Sequence, residues 1–219
     1  MIENEELQKS VLEAIKWEPL LNAAEIGVTA KDGIVTLTGT VDSYKKKLQA
    51  EDATKKVMGV RAIVEKIEIN FGDSNKKDDA EIATEILGAF RWNWDIPNDR
   101  VKVKVENGWI TLEGELEWNY QKEGARKAVN NVVGVKGVIN NINIKSQTHN
   151  EIQKEDIKNA LMRNWSVNDQ DIEVVVSDNR VILKGTVSSW YQRDEAGRIA
   201  WNAPGVWAVD NELLIEFDK

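Results

Sequence analysis

The chain has 219 residues, 42% of them apolar, no cysteine and a net charge of −8. This composition excludes wholesale disorder, a disulfide scaffold and thiolate chemistry. It also argues against nucleic acid as a partner, because an acidic chain is repelled by phosphate unless positive charge is gathered locally.

From the N-terminus, Leu7, Val11, Leu12 and Ile15 recur at steps of three and four, the spacing of one helix face. A loop with Pro19 follows, then an alternating strand with Ile26 and Val28, a turn at Asp32-Gly33, and a return strand holding Ile34, Leu37 and Val41. Asp-Gly suits the positive φ angles of a tight hairpin. The glycine inside the return strand, Gly39, points to a bulge or a close backbone approach. A second helix is predicted over Ser43 to Val57, with small inner residues Ala50 and Ala53, ended by Gly59 and followed by a strand over Ile63 to Ile69.

The whole pattern then repeats twice. Gly33-Ile34-Val35-Thr36-Leu37-Thr38-Gly39 returns as Gly108-Trp109-Ile110-Thr111-Leu112-Glu113-Gly114 and as Asn179-Arg180-Val181-Ile182-Leu183-Lys184-Gly185. The internal glycines lie 75 and then 71 residues apart, and Gly59, Gly134 and Gly205 each follow 20 residues later. The first-helix stripes become Ile82, Ile86, Leu87, Phe90 and Ile157, Leu161, Met162, Trp165. The turns become Asn107-Gly108 and Asp178-Asn179. The second helices run over Trp118 to Val132 and Ser189 to Ala203, and the last strands over Val138 to Ile144 and Val209 to Ile215.

A unit of about 65 residues with its own helices and strands is a small domain, not a solenoid repeat. The expected fold class is α+β: three tandem αββαβ domains, 1–72, 73–148 and 149–219, each a three-stranded mixed sheet with two helices packed on one face. Linkers are expected at 72–78 and 145–150. Trp17, Trp92 and Trp165, near the ends of the first helices, are expected in the core.

The Val-x-Leu-x-Gly-x-Val strand, the alanine-spaced helix and the ending Gly134-Val135-Lys136-Gly137-Val138-Ile139-Asn140-Asn141-Ile142-Asn143-Ile144 resemble the BON domain, named after bacterial osmotically inducible and nodulation proteins. The third copy ends Gly205-Val206-Trp207-Ala208-Val209-Asp210-Asn211-Glu212-Leu213-Leu214-Ile215, and in the first Glu65 replaces the asparagine. The resemblance implies the αββαβ fold, no catalysis, and a role in binding phospholipid or supporting the cell envelope under stress. It also implies a periplasmic location if the chain was trimmed. With Met1 as the native start, the absence of a leader and of any stretch near ~20 apolar residues points instead to the cytoplasm.

Catalytic groups are sparse. His149 is the one histidine and falls in a linker, where a solvated residue is the simpler reading. Asn168-Asp169-Gln170-Asp171-Ile172-Glu173 alternates oxygen ligands but lacks the glycine and distal glutamate of a calcium loop. No cofactor and no metal are expected.

Two surface features carry the functional expectation. Lys45, Lys46 and Lys47 open a helix, where the macrodipole disfavours cations by about 0.3–1 kcal/mol each. They are either solvated lysines serving solubility or a basic contact for anionic head groups or an acidic partner. Nine tryptophans are many for this length. Trp118 and Tyr120, and Trp190 and Tyr191, occupy the corner held by Tyr44 in the first copy. They either seal the corner or joint, or face a bilayer or protein partner. The expected function is a non-enzymatic binding protein contacting phospholipid head groups or envelope and stress partners. The alternative is a stress-induced chaperone-like or scaffold protein holding clients through exposed aromatic corners.

Overall fold

In the computed structural model the described residues are 3–72, 76–145, 154–164, 166–167 and 172–216. The chain runs α1 (Asn4–Lys16), β1 (Ile26–Lys31), β2 (Ile34–Val41), α2 (Tyr44–Lys55) and β3 (Ala62–Ile69). Next come α3 (Asp79–Trp92), β4 (Val101–Glu106), β5 (Trp109–Leu116), α4 (Asn119–Asn130) and β6 (Gly137–Ile144). It closes with α5 (Lys154–Met162), β7 (Ile172–Ser177), β8 (Arg180–Val187), α6 (Trp190–Trp201), β9 (Ala208–Asn211) and β10 (Leu214–Ile215). The fold is therefore α+β, with three tandem αββαβ repeats.

Each repeat builds a mixed sheet with its second strand in the middle. The orders are β1-β2-β3 and β4-β5-β6, and in the third repeat β8 lies between β7 on one side and β9 and β10 on the other. The hairpin pairs antiparallel, Val101 opposite Gly114 through Glu106 opposite Trp109, and the last strand joins in parallel, Trp109 opposite Gly137 through Leu116 opposite Ile144. The third repeat's expected single last strand is two short ones in the same register, the second beside Thr186 and Val187, with the Glu212 amide between them still donating to the Leu183 carbonyl at 2.9 Å.

The turn residues behave as their chemistry requires. Asp32, Asn107 and Asp178 all hold φ 52°, the left-handed conformation that short polar side chains tolerate. The turns are tied to the first helices. Asn4 accepts from the Asp32 amide at 2.8 Å, while the Asp79 carboxylate accepts from both Asn107 and Gly108 amides at 2.7 and 2.9 Å. The mid-strand glycines Gly39 and Gly114 are close approaches with positive φ. At Gly114 φ is 147°, and a Cβ would lie 2.1 Å from the Arg100 carbonyl oxygen; at Gly39 it would lie 2.0 Å from that of Glu25.

The cores form on the helical side. In the second repeat Ile82, Ile86 and Phe90 of α3 and Ala125 and Val129 of α4 close over Val101, Ile110, Leu112, Leu116 and Ile142. In the third, Ile157 and Leu161 of α5 and Ala196, Ile199 and Ala200 of α6 cover Val174, Val181 and Leu183. Each fully buried Leu, Ile or Phe contributes about 1.5–3 kcal/mol. Tyr44, from the first repeat, packs against the core of the second. Packing gathers the chain into two compact units, Met1–Gly39 with Gln49–Ile67 and Thr148–Lys219, and Thr40–Leu48 with Glu68–Gln147.

The expectation for the helix-end tryptophans does not hold. Trp17 is 82% exposed and Trp92 89%. Each lies two residues beyond the last buried residue of its helix, Ile15 or Phe90, and two steps of about 100° carry it to the outer face. Trp165, His149 and 168–171 lie outside the described residues.

Candidate functional site

Each second helix begins at a corner where the middle strand ends, and the sequence singled out seven residues there. In the third repeat Ser189 caps α6 by accepting from the Gln192 amide at 3.2 Å, and Gln192 Oε1 accepts from the Ser188 amide at 2.7 Å. Gln121 Oε1 accepts from the Trp118 amide in the second repeat. The matching residue of the first repeat is Lys46, which has no acceptor oxygen. It instead reaches back to Asp42, Nζ to Oδ2 2.6 Å. That contact holds the Asp42 carboxyl below its usual value, the hydrogen bond from Lys46 being the main cause.

The seven residues differ in access. Lys45, Tyr120 and Tyr191 are exposed, while Lys46, Lys47, Trp118 and Trp190 are half-buried. Trp190 lies under the Arg193 guanidinium, 5.6 Å from the ring centre, a cation–π distance. Its indole N–H is enclosed with no acceptor among the described residues. The three copies thus bring a basic residue and an aromatic ring to one corner, but only the tyrosines present much ring to solvent.

Two corner residues not singled out in the sequence, Lys122 and Arg193, match Lys47 of the first repeat. Lys47, Lys122 and Arg193 stand at the repeat offsets of 75 and 71, and the offset itself was the signal that could have found them. Burial pushes the Lys122 ammonium below its ordinary value. Arg193 donates to the Leu213 and Asn211 carbonyls at 3.1 and 2.8 Å, which fixes its head against the last strand. Further along α2, burial opposes the charge of Lys55, but the Glu51 carboxylate at 2.8 Å, with Asp52 and Asp194, outweighs it and holds the pKa above its ordinary value.

The profile of the BON domain matches residues 3–70, 78–146 and 149–216, nearly the whole chain. The chain belongs to the BON domain family. It is 29% identical over 147 residues to osmotically-inducible protein Y of Escherichia coli strain K12, spanning 64% of this chain and 73% of that protein. Among solved structures, the C-terminal domain of CdsD, a structural protein of the type III secretion system of Chlamydia trachomatis, shares 15% identity over 98% of this chain and all of its own, at a TM-score of 0.28. A further structural study of CdsD shares 16% over 95% and 92%, at 0.26. Overlap this slight bears no argument.

In BON terms, the asparagine of the closing motif sits behind the second and third corners. Asn140 Nδ2 donates to the Lys122 carbonyl at 3.2 Å and Asn211 Nδ2 to that of Arg193 at 2.6 Å. The corner backbone is therefore clamped to the last strand of its own BON repeat. What such a corner offers is positive charge, hydrogen-bond donors and amphipathic rings. Among the described residues no three His, Cys, Asp or Glu side chains group as metal ligands, and no helix is long and apolar enough to cross a membrane.

Proposed function

We propose that this BON protein is a non-enzymatic, osmotic-stress-related binding protein, organised as modules 1–72, 73–148 and 149–219, whose second-helix corners contact the head groups of an anionic phospholipid surface. The observation that carries this reading is the recurrence of a basic residue at one corner position, Lys47, Lys122 and Arg193, with Tyr120 and Tyr191 exposed beside it in two repeats. A cation held at such a surface contributes about 1 kcal/mol, and tyrosine suits the boundary between head group and acyl chain. The likeness to osmotically-inducible protein Y supports the link to osmotic stress.

Flotation of the full chain with phosphatidylglycerol vesicles at low salt tests the proposal. Wild type floats with the vesicles, and Lys45→Glu/Lys46→Glu/Lys47→Glu does not. Absence of flotation, or flotation unchanged by the triple substitution, rejects it. Retention on an unfolded polypeptide in place of vesicles points to the client-holding alternative.

A further inference from the structure

The chain contains one Asn-Gly pair, Asn107-Gly108, the sequence in which an asparagine side chain is most easily attacked by the backbone nitrogen that follows it. The hairpin between β4 and β5 leaves little choice about it. Asn107 and Gly108 hold φ 52° and 81°, the left-handed pair that a tight hairpin asks for. Few residues tolerate the first position, and the second has no room for a side chain, since a Cβ would lie 2.7 Å from the Gly134 carbonyl oxygen. Turn geometry thus installs a chemically unstable pair, with Asn107 exposed to water.

Asp79 holds the atom that would react. Its Oδ1 accepts from the Gly108 amide at 2.9 Å and its Oδ2 from the Asn107 amide at 2.7 Å. The Gly108 nitrogen can attack only after losing its proton and swinging toward the Asn107 side chain. A carboxylate bonded to that proton opposes the first step, because the nitrogen would become an anion beside a like charge. It opposes the second because both amides are tied to the first turn of α3. The other turns differ. In the first repeat Asp32 precedes Gly33, and a carboxylate gives up oxygen to a backbone nitrogen far less readily than an amide gives up ammonia. The residue reaching the Asp32 amide there is the neutral Asn4. In the third repeat Asn179 is followed by Arg180, whose side chain crowds its own amide nitrogen, and Asn179 Nδ2 donates to the Gly205 carbonyl at 2.7 Å.

We propose that Asn107 is a site of succinimide and isoaspartate formation that Asp79 holds shut, converting only when the contact between α3 and the turn opens. In the reaction the Gly108 nitrogen bonds to Asn107 Cγ, the Cγ–Nδ2 bond breaks, and ammonia departs carrying the proton that the nitrogen gave up. Water then opens the ring at either carbonyl, leaving aspartate or isoaspartate at 107. Isoaspartate lengthens the backbone beside the Glu106–Trp109 pair, and either product brings a new carboxylate to the turn that Asp79 grips. Conversion therefore keeps the contact open and leaves a lasting record that it opened.

The test is peptide mapping of the full chain aged in warm neutral buffer, with isoaspartate detected by enzymatic methylation. Folded wild type converts at Asn107 at least ~tenfold more slowly than the same chain in urea, the factor expected from one bond to a charged acceptor. Asp79→Ala in the folded protein removes most of that difference, and Asp79→Asn, which keeps one acceptor oxygen, falls between. Asn140→Asp loosens the same repeat away from the turn and leaves the rate as in wild type. Far-ultraviolet circular dichroism establishes that each variant is folded; should Asp79→Ala not fold, Asp79→Asn carries the comparison. Wild type converting as fast folded as in urea, a folded Asp79 variant converting as slowly as wild type, or Asn140→Asp accelerating as much as the Asp79 variant overturns the proposal.

Discussion

Asn211 and Arg193 hold each other in both directions. Asn211 Nδ2 donates to the Arg193 carbonyl at 2.6 Å, and the Arg193 guanidinium donates to the Asn211 carbonyl at 2.8 Å. Asn140 makes the first of these bonds to Lys122. Each asparagine also turns its amide oxygen to the backbone N–H two residues on, Leu213 or Ile142. One side chain thus ties the second helix to the last strand and satisfies an amide of that strand. In the first repeat Glu65 accepts from the Ile67 amide, but a carboxylate has no donor for a helix carbonyl.

Asn140→Asp keeps the acceptor and removes the donor. The Lys122 carbonyl then loses its side-chain partner, a loss of about 1–3 kcal/mol. Urea unfolding at neutral pH checks this as a lower midpoint for the second repeat. An unchanged midpoint refutes the clamp.

Gly114→Ala places a Cβ 2.1 Å from the Arg100 carbonyl at a φ of 147°. Backbone strain of this kind costs about 1–3 kcal/mol before any displacement of β4 is added. Thermal unfolding of the variant is expected several degrees lower. Gly88→Ala is the control, since a Cβ on that α3 glycine meets nothing within 4 Å and favours the helix.

Asp79→Ala removes one carboxylate from two turn amides, those of Asn107 and Gly108. Bonds to a charged acceptor are each worth about 1.5–3 kcal/mol. Amide hydrogen exchange at Asn107 and Gly108 should accelerate while that in the Ile110–Leu112 core is less affected. Asp79→Asn, with one acceptor oxygen, falls between.

The Arg198 hydrogen bond, with Asn164 assisting against burial, holds Glu195 below its ordinary carboxyl pKa. A folded value under the unfolded one means stability that is present above the unfolded pKa and lost as pH falls through the folded one. Wild type therefore loses this contribution on the acid side of the usual carboxylate range, and Glu195→Gln does not. Stability measured from neutral pH downward should show the variant with the shallower acid decline. Parallel curves contradict the assignment.

Much of the architecture was legible because backbone chemistry dictates it. Asp32, Asn107 and Asp178 are readable as left-handed turn residues, and Gly39 and Gly114 as close approaches, since few residues serve there. Leu7, Val11, Ile15 and Ile82, Ile86, Phe90 fixed the inner helix faces, whereas Leu87 and Met162, read into the same stripes, are exposed. Trp17 and Trp92 lie outside because periodicity, not side-chain hydrophobicity, sets the buried face, and two residues past Ile15 or Phe90 is the solvent side. The corner was only partly legible. Its lysines and rings could be named, but the packing of Tyr44 on the second core and the enclosure of Trp190 depend on contacts between distant parts of the chain. The role of the motif asparagine was hidden for the same reason, its partner lying 18 residues away.

The claim that this BON protein works by laying defined surface elements on lipid is tested most directly by hydrogen–deuterium exchange of the full chain with and without mixed phosphatidylcholine–phosphatidylglycerol vesicles. Protection is predicted in the second-helix corners, around Lys45–Lys47, Trp118–Lys122 and Trp190–Arg193, with the sheets unchanged. Exchange that is identical in all of these segments with vesicles present would contradict it.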